Sequence, residues 1–177
     1  MPIETEIKIL EVNVAGIQKK LRKLGAKKVE DCIIHERIFD FVDKPIPKGE
    51  LCRVRKHSNG ITEITYKKNP TKGTKFLEHD EYQTIAEDFE ATCKIFQCIG
   101  MKIKCDRQKR RISYTLEKIK FEIDKYPTIP AYMEVEGKRG DIVKALKKLG
   151  YTLKDTTNMS GSQVLKQYGV NVKYQKF

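Results

Sequence analysis

The chain has 177 residues, with 36 Lys and Arg against 24 Asp and Glu, a net charge of +12. That length suits one domain with a sizeable core, residues 1–177, and the basic balance points to an anionic partner: nucleic acid, an acidic surface or a phosphorylated small molecule. No apolar run reaches the ~18 residues of a membrane span, and the start Met-Pro-Ile-Glu-Thr-Glu has no basic or apolar leader region, so a cytoplasmic protein with no membrane association is expected.

A strand is predicted over residues 3–10, where Glu4, Glu6 and Lys8 fall on one face and Ile3, Thr5, Ile7 and Ile9 on the other. Asn13 then caps a helix whose stripe is Val14, Ile17, Leu21 and Leu24, stopped by Gly25. Residues 35–42 are β-rich. Residues 50–57 and 60–68 form a predicted hairpin about Ser58-Asn59-Gly60, with Arg53 and Arg55 alternating. A strand over 76–85 precedes a helix over 87–99 that carries Phe89, Phe96 and Ile99 and stops at Gly100. A second long hairpin, 102–116 with 120–125, alternates Arg107, Lys109 and Arg111, then Glu122 and Asp124. A strand over 132–137 carries Glu134 and Glu136. Asp141 is expected to cap a helix over 142–149 with Ile142, Val143, Leu146 and Leu149 apolar, and a short helix over 160–168 follows. The tail to Phe177 is weakly specified. Three helices ending at Gly25, Gly100 and Gly150 resemble an internal repeat, but any amphipathic helix with a glycine stop has that form.

The five cysteines (Cys32, Cys52, Cys93, Cys98, Cys105) are odd in number and lack paired CxxC spacing. They read as buried thiols of a reducing compartment, not as a disulfide frame or a zinc site. The histidines His35, His57 and His79 are scattered, which argues against a histidine-based metal site. No glycine-rich phosphate loop is present.

Strand excess and short turns predict an α+β protein: an antiparallel sheet, closed into a barrel to remove its edges, with helices outside. A single strand with one charged face ordinarily turns that face to water. Here, however, the helices need the apolar strand faces, which leaves the charges inside. The lumen would then hold Lys8, Arg53, Arg55, Lys67, Arg107, Lys109 and Arg111 with Glu4, Glu6, Asp124, Glu134, Glu136 and Glu122. Unpaired buried charge is costly. A polyphosphate carrying Mg²⁺ or Mn²⁺ satisfies both signs, because arginine grips phosphate oxygens and carboxylates hold hard cations.

Those residues resemble the CYTH family of triphosphate tunnel metalloenzymes, which includes class IV adenylyl cyclases, thiamine triphosphatases and inorganic triphosphatases. The resemblance rests on Glu4-x-Glu6-x-Lys8, Leu51-Cys52-Arg53-Val54-Arg55, Thr65-Tyr66-Lys67, Lys109-Arg110-Arg111, Asp124 and Tyr132-Met133-Glu134-Val135-Glu136-Gly137. It runs in consistent order over about residues 1 to 168 and implies an eight-stranded antiparallel tunnel. It also implies metal ligation by Glu4, Glu6, Glu134 and Glu136, with Asp124 at a second metal or its water. Triphosphate binding would fall to Lys8, Arg53, Arg55, Lys67, Lys109 and Arg111, and catalysis to Glu6, Asp124 and Glu136. Whether Glu78, His79 or Glu81 is the inward acid of its strand stays open. Lys154 is the nearest match to a C-terminal basic residue, and Ser160-Gly161-Ser162-Gln163 departs from the family's Ser-Tyr.

The leading expectation is a metal-dependent hydrolase of inorganic triphosphate, nucleoside triphosphate or thiamine triphosphate. The alternative is a class IV adenylyl cyclase making cyclic AMP and pyrophosphate from ATP. Ranked below both is a non-catalytic module for RNA or a phosphorylated ligand, since the aromatics Phe39, Phe41, Phe121 and Tyr114 suit helix packing rather than base stacking. The sequence leaves the oligomeric state open, a homodimer included.

Overall fold

The computed structural model describes residues 3–68 and 73–177; Met1 and Pro2, with which the leader reading began, lie outside them. The strands are β1 (Ile3–Ile9), β2 (Lys27–Phe41), β3 (Leu51–His57), β4 (Thr62–Lys68), β5 (Leu77–Ala86), β6 (Met101–Leu116), β7 (Ile119–Lys125), β8 (Tyr132–Glu136) and β9 (Tyr174–Gln175). The helices are α1 (Val14–Lys23), α2 (Phe89–Cys98), α3 (Arg139–Leu149) and α4 (Gly161–Gln167). Eight strands pair antiparallel in the order β2-β3-β4-β5-β1-β8-β7-β6, and β6 pairs back onto β2, closing an α+β barrel with the helices outside. The two-residue β9 adds parallel to β6.

Local signals account for most of these elements. Asn13 accepts a hydrogen bond from the Gly16 amide at 2.8 Å and Asp88 accepts one from the Ala91 amide at 2.6 Å, each relieving an unpaired donor at a helix start. Ser160 and Gln163 form a reciprocal capping box on α4. Helices α1 and α3 run into Gly25 and Gly150, both at φ +84°, a conformation in which a side chain would be strained.

Three expectations need correcting. Strand β2 begins at Lys27, eight residues before the predicted start, because its polar first half is held by pairing with β6 and bends at irregularities between Lys28 and Glu30 and between Ile38 and Phe39. Asp141 is not the cap of α3. The helix starts at Arg139, Lys138 occupies the cap without a side-chain bond, and Asp141 lies in the first turn, where its charge still faces the positive helix end. Of the five cysteines, Cys98 is exposed while the other four are buried, because it falls on the outer side of the last turn of α2.

The apolar strand faces point outward beneath the helices. Ile17 and Leu21 of α1 and Ile142, Leu146 and Leu149 of α3 pack on Ile7, Ile9, Phe121, Ile123, Met133 and Val135. Phe89 and Cys93 of α2 cover Phe39, Cys52 and Val54. Val164 and Leu165 of α4 pack with Tyr126, Ile129 and Tyr132. Fully burying one such side chain is worth about 1.5–3 kcal/mol, so the helices commit the strands to this orientation. A one-residue slip would turn every charge outward and every apolar residue inward. Phe41 is the exception among the aromatics expected under helices, being 39% exposed. Among the described residues, no helix is long and apolar enough to cross a membrane.

Candidate active site

Because successive strand residues alternate faces, the charged parity of every barrel strand enters one cavity of about 650 Å³. Acids concentrate on one side of the barrel, with Glu4 and Glu6 of β1, Glu134 and Glu136 of β8, and Glu122 and Asp124 of β7 on three adjoining strands. Bases concentrate on β3 (Arg53 and Arg55), β4 (Lys67) and β6 (Arg107, Lys109 and Arg111), the last of which adjoins the acidic strand β7. Lys8 crosses the division from β1. Every one of these residues was singled out in the sequence; all but Asp124 line the cavity, and Asp124 is fully buried against Arg111 and Lys109.

The acidic wall carries two carboxylate triads, Glu4–Glu6–Glu136 and Glu122–Glu134–Glu136, in each of which one oxygen per residue lies within 4.8 Å of the others. Register brings them together, since Glu6 pairs across from Glu136, Lys8 from Glu134, and Glu122 from Glu134. Glu136 belongs to both triads. Its burial, then the carboxylates of Glu122, Glu4 and Glu134, push its pKa well above the ordinary value, although Lys120 stands 3.6 Å away. Glu134 goes the other way. Burial opposes its ionisation, but Lys8 at 3.2 Å and Arg111 at 2.8 Å outweigh that and hold it well below the ordinary range. Lys8 is fully buried and bonds Glu6 as well; burial opposes its charge, but Glu134 and Glu6 raise its pKa. All-oxygen carboxylate donors suit a hard dication such as Mg²⁺ or Mn²⁺.

Asp124 sits apart from the triads. Arg111 grips it with two bonds of 2.7 and 2.6 Å, and Lys109 lies at 2.5 Å. Burial, then the Arg111 charge, push the Lys109 pKa down to about 8, outweighing the Asp124 carboxylate that opposes the shift.

The basic wall is organised by a residue the sequence reading passed over. Glu36 of β2, 3% exposed, accepts from Arg107 at 2.6 and 3.1 Å and from Arg55 at 3.2 Å, with Arg53 at 3.9 Å. Burial opposes its charge, but Arg107, Arg55 and Arg53 overcome this and hold its pKa well below the ordinary value. One carboxylate does not balance three guanidiniums, and the Arg53 Nε is buried without a partner. A buried donor left open beside a cavity calls for an anion.

On β5, His79 and Glu81 face the cavity while Glu78 faces out and is held by Arg139 at 2.7 and 2.8 Å. Glu81 is therefore the inward acid, 2.9 Å from Lys67, which also bonds Glu4. Lys154 is on an exposed turn and does not line the cavity, whereas Lys173 does. Ser160, Gly161 and Ser162 reach the cavity beside Tyr126 and Tyr132, and Ser162 accepts from Arg107 at 3.0 Å. The alternation that exposed the other sites also holds for Glu36, Ile38 and Asp40, but Glu36, flanked on its face by Ile34 and Ile38, gave no sign of its three partners.

The family model described as the CYTH domain matches residues 2–166. A solved protein from Pyrococcus horikoshii is 26% identical, with a TM-score of 0.77 over 89% of this chain and 96% of that one. A candidate adenylate cyclase from Vibrio parahaemolyticus is 13% identical, with a TM-score of 0.82 over 93% and 98%. A candidate adenylyl cyclase from Hippeastrum, described as revealing a dominant triphosphatase activity, is 15% identical, with a TM-score of 0.64 over 96% and 99%. The last two likenesses show the fold. No curated protein matches the sequence.

Proposed function

The chain belongs to the CYTH domain family, and from that premise we propose that it is a Mg²⁺- or Mn²⁺-dependent triphosphatase of the cytoplasm, working as a single domain over residues 1–177. The observation that carries this reading is the meeting, in one cavity, of two carboxylate triads with a basic wall whose Arg53 lacks a full partner. Arg53, Arg55, Lys67, Lys109, Arg111 and Lys8 bind and align the triphosphate chain. Bidentate guanidiniums fix its orientation and the lysines supply point charge. Glu4, Glu6, Glu134 and Glu136, with Glu122, would hold the metal, which when bound neutralises phosphate charge and polarises the transferred group. Glu6 and Glu136 are the carboxylates on which catalysis would depend, through the ion they would hold. Asp124 keeps Arg111 and Lys109 aimed into the cavity.

The substrate enters a site that is already charged and rigid, so little reorganisation accompanies the reaction. Glu36 keeps Arg55 and Arg107 extended toward the lumen before substrate arrives. The Hippeastrum relative, with its dominant triphosphatase activity, supports hydrolysis over cyclisation.

The second reading, a class IV adenylyl cyclase, is favoured by the tyrosine pair Tyr126 and Tyr132, stacked with centroids 6.5 Å apart at the cavity wall, where an adenine ring has an aromatic neighbour. The RNA-binding reading loses ground because Phe39, Phe121 and Tyr114 are buried beneath helices.

Incubating the purified protein with Mg²⁺ or Mn²⁺ and either inorganic triphosphate or ATP separates these readings. Orthophosphate release that stops on chelation is expected. Cyclic AMP with pyrophosphate would instead establish the cyclase, and no metal-dependent turnover of either compound would overturn both.

A further inference from the structure

Away from the carboxylate triads, the barrel wall brings together three side chains of a different chemistry. Glu30 and Cys32 lie two apart on β2 and so share a face, and His57 ends the neighbouring strand β3. The Cys32 Sγ is 3.6 Å from the His57 Nδ1, the Glu30 Oε1 is 2.9 Å from the same nitrogen, and the three donor atoms lie within 4.8 Å of one another. Both Cys32 and His57 are buried.

The spacing has a metal's dimensions. Zinc bonds of about 2.3 Å to sulfur and about 2.05 Å to nitrogen, at a tetrahedral angle, place those two atoms about 3.6 Å apart. The Glu30 oxygen needs to withdraw by only about 0.4 Å to reach the corresponding separation. The opposite ring nitrogen of His57, Nε2, is buried 3.2 Å from the Glu63 carboxylate without an aligned hydrogen bond, so a small turn of the ring on binding an ion would bring Glu63 into the place of the carboxylate that orients a ligating imidazole. Asn59 donates to the Glu30 Oε1 at 3.1 Å and fixes that carboxylate. Glu30, His57 and Glu63 all line the cavity, and Cys32 is buried behind them. An imidazolium clamped between Glu30 and Glu63 accounts for the two acids, but its Nδ1–H is then shared between Glu30 at 2.9 Å and the Cys32 sulfur at 3.6 Å, whereas one ion would engage all three donor atoms.

We propose that Glu30, Cys32 and His57 form a second metal site, for a borderline transition dication of the zinc class, with Glu63 as the positioning residue. A sulfur, nitrogen and oxygen donor set selects such an ion over Mg²⁺, whereas the all-carboxylate triads prefer the hard ion. The two classes of ion therefore sort within one cavity. Cys32 pairs in register with Arg111, so an ion held there stands beside the basic wall. Binding expels the thiol proton and any imidazolium proton, as ligation by thiolate and neutral imidazole requires.

The test is titration of the metal-free protein with Co²⁺. A sulfur-to-cobalt charge-transfer band in the near ultraviolet is expected, saturating at one equivalent and bleached by equimolar Zn²⁺ but not by excess Mg²⁺. Cobalt in a carboxylate triad gives no such band. Cys32→Ser should lose the band, and Cys98→Ser, at the exposed cysteine, should keep it. Glu30→Gln should keep the band and weaken cobalt affinity roughly 10- to 100-fold, which serves if Cys32→Ser does not fold. No band at saturating cobalt, a band that survives Cys32→Ser, or unchanged affinity in Glu30→Gln would each overturn the proposal.

Discussion

Replacing Glu36 by Gln tests the electrostatic logic of the basic wall. The change keeps the side chain's volume and one acceptor oxygen but removes the charge that faces Arg107 at 2.6 Å, Arg55 at 3.2 Å and Arg53 at 3.9 Å. Removing one partner of a buried ion pair costs about 3–5 kcal/mol, and the retained acceptor puts this case near 3. At about 2.1 cal/mol/K per residue, a chain of 177 residues unfolds with an entropy of about 0.37 kcal/mol/K. The Tm should therefore drop by about 8 °C. A triphosphate supplies the missing negative charge, so it should stabilise Glu36→Gln more than the parent. A tenfold gain in affinity adds about 1.4 kcal/mol, or about 4 °C. Thermal melts in chelated buffer, with and without inorganic triphosphate, read both effects. A Tm within about 2 °C of the parent, or equal shifts on adding triphosphate, would refute the reasoning.

The remaining predictions concern the reaction. Glu6→Ala or Glu136→Ala should abolish metal-dependent turnover while far-ultraviolet circular dichroism stays unchanged; full activity in both variants contradicts the triad assignment. Arg55→Ala removes a charged hydrogen-bond donor worth about 1.5–3 kcal/mol, so KM should rise roughly 10- to 100-fold with a smaller change in kcat. An unchanged KM counts against its role. Because the Lys109 pKa lies at about 8, below the usual lysine value, its ammonium is lost as pH rises through 8 and with it part of the attraction for phosphate. KM should climb above that pH in the parent, and Lys109→Met should have a high KM at every pH without the climb. The same limb in the variant would assign the titration elsewhere.

How much was legible beforehand follows from the two-residue period of a strand. Glu4, Glu6 and Lys8, or Arg107, Lys109 and Arg111, share a parity, and the helix stripes Ile17–Leu21 and Ile142–Leu146–Leu149 require the opposite parity for packing. Those two facts together forced the charges inward without any knowledge of which strands adjoin. Glu36 escaped because its meaning lies in partners 19 and 71 residues away, reached only through the pairing of β2 with β3 and β6. The first half of β2, with Lys27, Lys28, Glu30 and Asp31, has no apolar alternation and becomes a strand because a neighbour supplies its hydrogen bonds. Cys32 and His57 looked isolated for the same reason, since 25 residues separate them in the chain and one strand spacing separates them in the barrel.

The seam between β2 and β6 joins residues 27–41 to residues 101–116, so the longest pairing in the barrel is also one of the most distant along the chain. Until β6 is made, the edge of β2 that faces it stays unsatisfied, and β3 pairs with β2 only over residues 34–39. Pairing segments so remote costs more loop-closure entropy than local structure does, which favours late closure of the barrel. An anion that bridges Arg55 and Arg107 across that seam would act as a template for closing it, coupling maturation of the polypeptide to the supply of its own ligand.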